Sequence, residues 1–499
     1  MNPAPENSLY FSASLRQIEQ ANAQAGLMVR AGAAAADWAV ELLGSRTAPI
    51  LILAGPGNNG GDALEMASLL RTRRIPVEVV FKGQAERLPA DARQSCQHFI
   101  GEGGTCLERI PPGVEWGMIV DGLFGIGLDR PLEGEYAELV QGINKLAGYL
   151  HCPLLALDCP SGLDADSGFC RGPAINATHT LTFIAGKPGL YTADGPDHCG
   201  HIRVHHLGLN HPLPKAADGE LVHIEDFRHC LQPRRRNSHK GSHGSIGIIG
   251  GAHSMLGAPL LAGRAALKLG AGRVFLGLLD PQAPGVDFSR PELMLRKPEG
   301  IFDAELTALA CGPGLGRSVH AAELLERALA TSLPLVLDAD ALNILAFEEA
   351  LQTLTRNRAA PVLLTPHPAE AARLLDLQAV VIQQDRIHMA QKLARRYQAW
   401  VALKGCGTVI ADPEGCWWIN TSGNPGLASA GTGDVLTGIL TALLGQGWPS
   451  TEALLAACHL HGQAADQLLL AGIGPIGMCA GELADAARSR FNQWIAAAP

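Results

Sequence analysis

A chain of 499 residues is longer than one hydrophobic core ordinarily supports, so two domains are expected. Charged residues make up 17% and aromatics 5%, with 58 glycines, a balance that excludes a disordered chain and suits an α/β enzyme rich in tight turns. The formal net charge of -9, with Arg234 to Arg236 as the compact basic run, argues against nucleic acid as a partner, and no apolar run approaches a membrane span.

Met1 to Ser14 has no basic segment leading into an apolar core, which predicts no secretory leader. Twelve cysteines, scattered singly from Cys96 to Cys479 without a C-x-x-C pair, predict free thiols in a reducing compartment, and the cytoplasm is the expected location. Short apolar runs then alternate with helical patterns through both halves, the signature of parallel sheets covered by helices. In the first half the predicted strands are Ile50 to Ala54, Val77 to Phe81, Gly117 to Asp121 and Leu154 to Asp158.

Gly55-Pro-Gly-Asn-Asn-Gly-Gly-Asp62 follows the first strand and precedes a predicted helix from Ala63 to Arg71. Its glycines permit a tight turn and its amides suit a phosphate, although the spacing is not that of the G-x-G-x-x-G dinucleotide fingerprint. Asp121-Gly-Leu-Phe-Gly-Ile-Gly-Leu-Asp-Arg-Pro131 and Asp158-Cys-Pro-Ser-Gly-Leu-Asp164 follow the third and fourth strands. Ligands of open α/β sheets bind outside the carboxyl ends of the strands, so the three loops should converge. Taken singly, a strand-end aspartate more often caps a helix or turn. Together, Asn59, Asp121, Asp158 and Ser161 supply hard oxygen ligands suited to a weakly bound monovalent cation.

These three motifs, with the opening Leu15-Arg-Gln-Ile-Glu-Gln20 and Leu27-Met-Val-Arg-Ala-Gly32, resemble the NAD(P)H-hydrate epimerase family, whose members interconvert the R and S forms of NADH or NADPH hydrated at nicotinamide C6. The resemblance implies substrate contacts from Asn58, Asn59, Gly60, Gly61 and Asp62, and from Gly125, Ile126, Gly127, Leu128, Asp129, Arg130 and Pro131. It implies potassium held by Asn59, Asp121 and Ser161, with Asp158 at the reacting ring as candidate acid/base. Ala63 stands where the family usually has glycine, which should narrow the loop. Val29 replaces a usual acid, which should alter helix packing alone.

Between Gly208 and Asn237 the periodicity fails, with His211-Pro-Leu-Pro214 and the arginine run close together, and this stretch is the expected boundary, with domains over 1–218 and 225–497. The second half restarts with Ser245 to Gly250 as a strand and continues through Leu335 to Asp338, Val362 to Thr365, Val401 to Lys404 and Val409 to Ala411. Four segments follow apolar strand-like runs: Gly250 to Ala258, Gly312-Pro-Gly-Leu-Gly316, Thr365-Pro-His-Pro-Ala-Glu370 and Lys404-Gly-Cys-Gly-Thr408. A strand-end lysine is more often solvated than a phosphate ligand, and for His367 a satisfied turn histidine and a ligand stand level. Asp338 and Asp340 read as caps of the following helix rather than magnesium ligands.

The last loop, Ser422 to Asp434, runs into the apolar positions Val435, Leu436, Ile439, Leu440, Leu443 and Leu444, so Gly431-Thr-Gly-Asp434 sits at a helix N-terminus. Free amides and the helix dipole there hold an anion, and a carboxylate beside a phosphate makes sense as the base that activates an attacking hydroxyl. These segments, with Ser238-His-Lys-Gly241, Leu337-Asp-Ala-Asp-Ala-Leu-Asn343 and Asn424-Pro-Gly426, resemble the NAD(P)H-hydrate dehydratase family of the ribokinase-like superfamily.

The resemblance implies hydrate contacts from Ala258, Gly314, His367 and Asp434, and AMP contacts from Lys404, Gly405, Cys406, Gly407, Thr408 and Gly433. It implies ADP as co-substrate, magnesium on its phosphates, and Asp434 as the base. Leu427, Ala430 and Ala369 depart from the usual pattern without removing a group assigned to chemistry. The fold implied is a Rossmann-like three-layer α/β/α domain followed by a ribokinase-like α/β domain. The function implied is dehydration of hydrated NADH or NADPH after epimerisation by a homo-oligomer, with these small molecules as its partners. A vitamin or sugar kinase and a non-catalytic nucleotide sensor are the competing readings.

Overall fold

The computed structural model describes residues 7–128, 130–210, 213 and 215–498, and divides the chain into two compact units, Met1–Glu220 and Leu221–Pro499. In the first unit the strands are β1 (Ile50–Ala54), β2 (Val77–Phe81), β3 (Cys106–Leu107), β4 (Met118–Gly122), β5 (Leu154–Leu157), β6 (His179–Phe183) and β7 (His201–His205). They pair in parallel in the order β3-β2-β1-β4-β5-β6-β7. Strand alternation sends Ile50, Ile52, Val120 and Leu155 to one face. There they pack with α2 (Leu27–Leu43), α3 (Asn58–Thr72) and α4 (Ala90–Gly101). Leu51, Leu53, Ile119 and Leu154 pack on the other face with Val140 and Ile143 of α5 (Gly134–Leu150). The result is the three-layer sandwich expected of a Rossmann-like domain.

Three local differences from the sequence expectations matter. Helix α3 begins at Asn58, so Asn58 to Asp62 form its first turn rather than a loop. Helix N-termini leave their first amides unbonded, which lets a glycine-rich turn stand there without losing hydrogen bonds. A side chain on Gly60 would place its Cβ 2.0 Å from Gly55 O, so only glycine lets the strand turn this tightly into the helix. Ala63 is a buried helical residue packed against Gly122 and does not narrow a loop, and Val29 is 57% exposed, so neither departure acts as expected.

The second unit carries β8 (Ser245–Gly250), β9 (Arg273–Leu278), β10 (Met294–Arg296), β11 (Ala308–Cys311), β12 (Leu335–Leu337), β13 (Val362–Leu364) and β14 (Trp400–Leu403), followed by β15 (Thr408–Ala411) and β16 (Trp417–Asn420). Their order is β16-β15-β14-β13-β12-β11-β8-β9-β10, parallel except for the antiparallel pairs that β15 makes with β14 and β16. Ile246, Ile248, Ala310 and Val336 face α6 (Gly257–Lys268), α10 (Thr432–Gly445), α11 (Ser450–Leu470) and α12 (Ala480–Ala497) in one buried core. Helices α7 (Asp340–Phe347), α8 (Pro368–Leu375) and α9 (Arg386–Tyr397) follow β12, β13 and an intervening helix. Among the described residues no helix is long and apolar enough to cross a membrane. The twelve cysteines are free.

Candidate functional sites

In the first unit the chain leaves β1 toward one side of the sheet and β4 toward the other, and the crevice at such a switch point is where open α/β sheets bind ligands. Asp121, fully buried, accepts from Ser161 N (2.8 Å), Ser161 Oγ (2.7 Å) and Leu123 N (3.1 Å). Burial pushes its carboxyl up to about 6 against these hydrogen bonds. Asn59, on the first turn of α3, is buried with neither amide atom hydrogen-bonded. A buried side-chain amide without partners is costly, so this oxygen set is suited to an added cation.

Asp158 lies one residue beyond β5 rather than at its end, with a left-handed φ of 64° that costs a non-glycine residue on the order of 1 kcal/mol. Its amide donates to Leu181 O (2.7 Å) and its Oδ2 accepts from Ile126 N (3.2 Å). A Cβ on Gly125 would fall 2.6 Å from that Oδ2, which is why this loop needs glycine. Its Oδ1 is 2.6 Å from the ammonium of Lys187, a residue that sequence reasoning passed over. Asp62 feels the same cluster: burial, Asp158, Glu19 and Glu65 hold its carboxyl well above the usual range, while Lys187 pulls the other way.

The structure therefore brings Asn59, Asp62, Asp121, Ser161, Gly125, Ile126 and Asp158 to one crevice. Gly127, Leu128, Arg130 and Pro131 continue the loop after β4, and Asp129 lies outside the described residues.

In the second unit the loops after β8, β11, β12, β13 and β14 share the carboxyl edge of the sheet. Lys404 donates to Asp338 Oδ1 (2.8 Å), and Thr437 Oγ1 donates to Asp338 Oδ2 (2.8 Å). The cap expectation is thus wrong for both aspartates: Asp338 faces the site, and Asp340 accepts from Gly316 N (2.9 Å) without bonding the free amides of α7. Burial depresses the Lys404 ammonium, but Asp338 and Glu370 outweigh it and keep the group above its ordinary value. Gly433 is beside it, since a Cβ there would be 3.4 Å from Lys404 Nζ. Asp434 follows on the first turn of α10, and burial and the Asp338 charge raise its carboxyl to about 7, with Lys404 opposing. A base poised near neutrality is what proton transfer from a hydroxyl requires.

His367 caps α8: its amide donates to Glu370 Oε2 (2.8 Å) and its Nδ1 accepts from Ala369 N (3.2 Å), so the turn reading of this residue holds. Burial, with the charges of Lys404 and Arg373, lowers the basicity of its ring. Gly314 and Ala258 are neighbours, a Cβ on Gly314 falling 3.4 Å from that of Ala258. Ala258 begins the face of α6 that meets α10, where Gly438 permits backbone contact with Ala262. Sequence reasoning missed Arg386, 1% exposed, whose guanidinium donates to Leu403 O (3.0 Å) and Lys404 O (3.3 Å) beneath the loop Gly405, Cys406, Gly407 and Thr408. It also missed His461, whose Nε2 is 2.9 Å from Thr432 O, and Asp466, which accepts from Gly423 N (2.9 Å) and Asn424 Nδ2 (3.0 Å). These residues lie far from the loops in sequence, and no local pattern flags them.

A lysine paired with an aspartate at the carboxyl edge of a parallel sheet in each unit fits a two-domain α/β enzyme of nucleotide chemistry, Rossmann-like first and ribokinase-like second. Residues 24–189 match the family described as YjeF-related protein N-terminus, and residues 246–487 match the NAD(P)H-hydrate dehydratase family. A bifunctional NAD(P)H-hydrate repair enzyme of Coxiella burnetii is 36% identical over 95% of this chain and 97% of its own length. One of Escherichia coli is 38% identical over 87% and 83%. A solved ADP/ATP-dependent NAD(P)H-hydrate dehydratase of Bacillus subtilis, co-crystallised with ATP and magnesium, is 30% identical with a TM-score of 0.48, covering 55% of this chain and 98% of that one. The chain belongs to the bifunctional NAD(P)H-hydrate repair enzymes.

Proposed function

We propose that Asp158 carries the interconversion of R and S hydrates in the first unit, and that Asp434 activates the C6 hydroxyl of the S hydrate for dehydration at the expense of ADP in the second. The observation that carries the second assignment is the Asp434 carboxylate at a helix N-terminus, raised to about 7 beside Lys404. Hydroxide is a poor leaving group at neutral pH, whereas phosphate leaves readily. Asp434 takes the hydroxyl proton as the oxygen attacks the terminal phosphorus of ADP and AMP departs, with the Gly431 to Gly433 amides and Lys404 facing the transferred charge. The ring-nitrogen lone pair then expels phosphate, and loss of a C5 proton leaves NADH or NADPH.

Asn59, Asp121 and Ser161 fit potassium, since the buried Asn59 amide has no partner and Asp121 brings one negative charge. Bound there, the ion would neutralise Asp121 and draw oxygen atoms of the substrate to the crevice. Magnesium fits less well as a protein-held ion: among the described residues no group of three His, Cys, Asp or Glu side chains can hold a metal, and the Lys404 ammonium already occupies the Asp338 carboxylate. We therefore assign magnesium to the nucleotide phosphates.

Asn58 to Asp62 and Gly125 to Pro131 are assigned to the epimerase substrate. Ala258, Gly314 and His367 are assigned to the hydrate, and Lys404 to Thr408 with Gly433 to AMP. A homo-oligomer is proposed from the family alone. The test is to incubate mixed R and S hydrates with ADP or with ATP and follow the near-ultraviolet absorbance of reduced nicotinamide. Complete recovery with one phosphate released per molecule is expected, faster with ADP. A stable phosphorylated product would overturn the assignment.

A further inference from the structure

Lys187 is 1% exposed, and its ammonium is met by Asp158 Oδ1 (2.6 Å), Thr182 Oγ1 (2.7 Å) and Phe183 O (2.9 Å). An ammonium has three protons, so each has an acceptor, and the charge is locked in one geometry. The same strand end fixes its partner, because Asp158 N donates to Leu181 O (2.7 Å). β6 thus holds the Asp158 main chain directly and the Asp158 carboxylate through Lys187. The pairing leaves Oδ2 turned toward the Gly125 and Ile126 backbone, where glycine keeps the approach open.

We propose that Lys187 is a positioning residue for epimerisation, holding the Asp158 carboxylate aimed with Oδ2 toward the C6 hydroxyl, an inference that rests on the assignment of Asp158 as the acid/base. Its need follows from the surroundings. Glu19 from α1 (Ser12–Ala21) and Asp62 from α3 press negative charge on Asp158, Cys159 adjoins it, and Arg16 acts on Glu19 from the rim. Lys187 is the cation within hydrogen-bond reach of Asp158 among the described residues. Without it three acids would share a crevice with no cation bonded to Asp158, and the carboxylate would lose the contact that aims it.

The step balances within this pair and the substrate. Asp158 takes the proton of the C6 hydroxyl, the oxygen lone pair forms the C6 carbonyl, and the C6–N1 bond breaks with its electrons passing to N1. The Asp158 proton then moves to N1. Rotation about the C5–C6 bond and reclosure through the same steps reversed give the other epimer, with no redox partner required.

The test compares Lys187→Met, Lys187→Arg and Thr182→Val in the full chain, following R-hydrate recovery with the dehydratase in excess. Lys187→Met should lower epimerase kcat about 100-fold with KM changed by less than about threefold. Lys187→Arg should restore part of the rate, and Thr182→Val, which keeps the cation but loses one acceptor, should cost about threefold to tenfold. Wild-type kcat in Lys187→Met, or a loss carried by KM alone, would overturn the proposal. Should Lys187→Met fail to fold, as judged by proteolysis, unchanged kcat in both remaining variants would overturn it. Failure of the wild-type chain to recover R hydrate would instead remove the epimerase assignment itself.

Discussion

Each half of the molecule pairs a lysine with an aspartate just past a strand, but the two pairs treat the proposed base in opposite ways. In the first unit the lysine grips the base itself, Asp158, at 2.6 Å. In the second it grips a neighbour, Asp338, at 2.8 Å, and that neighbour's charge works with burial to raise Asp434 to about 7. The difference suits the chemistry assigned to each. Epimerisation returns every proton it moves and needs a carboxylate fixed in direction. Dehydration through a phosphorylated hydroxyl needs a base that gains a proton readily beside incoming phosphate, and a carboxylate near neutrality does so.

The contrast can be broken first at Asp434. Asp434→Ala should lower the rate of nucleotide-dependent phosphate release about 1000-fold, while R and S hydrates continue to interconvert at the wild-type rate, as chiral separation of the hydrates would report. Loss of both activities together would mean that the halves do not carry separate chemistry.

A smaller effect sharpens the electrostatic half of the comparison. The dehydratase kcat/KM should fall on acidification with a limb near pH 7, because Asp434 acts when deprotonated. Asp338→Asn removes the neighbouring charge and leaves Lys404 to act on Asp434, so the limb should move to lower pH even as the rate drops. A limb that stays in place would detach Asp434 from the profile.

The smallest effect is on stability. Asp434 binds its proton more tightly when folded than at its unfolded value of 3.8. The unfavourable term therefore appears as pH rises above about 4 and is complete above about 7. Asp434→Asn should raise the unfolding temperature of the second unit by about 2 °C or more at pH 8 and by less at pH 4.5, read by calorimetry. An equal shift at both pH values would mean that packing, not charge, is responsible.

The frame of both sites was legible in the sequence because it is local. Ile50 to Ala54 is an unbroken apolar run and Val77 to Phe81 an apolar run broken only by Glu78, and both are strands with those limits. The Gly-Thr-Gly-Asp434 turn precedes a helical repeat and opens α10. What escaped depends on contacts between distant segments. Asn58 to Asp62 reads as a loop from its glycines and asparagines, but close packing against Gly55 winds it into helix. Asp338 reads as a cap until Lys404, distant in sequence, is folded against it. Lys187 in Gly186-Lys-Pro188 belongs to no charge pattern, and its role exists only once β5 and β6 lie side by side.

The central claim is that the two aspartates divide the repair between them, and mixed hydrates test it most directly. With ADP in excess, the Asp158→Asn enzyme should restore reduced nicotinamide from the S fraction at the wild-type rate and then stall, while the wild-type enzyme proceeds to full recovery. Recovery of both epimers by Asp158→Asn at the wild-type rate would contradict the account.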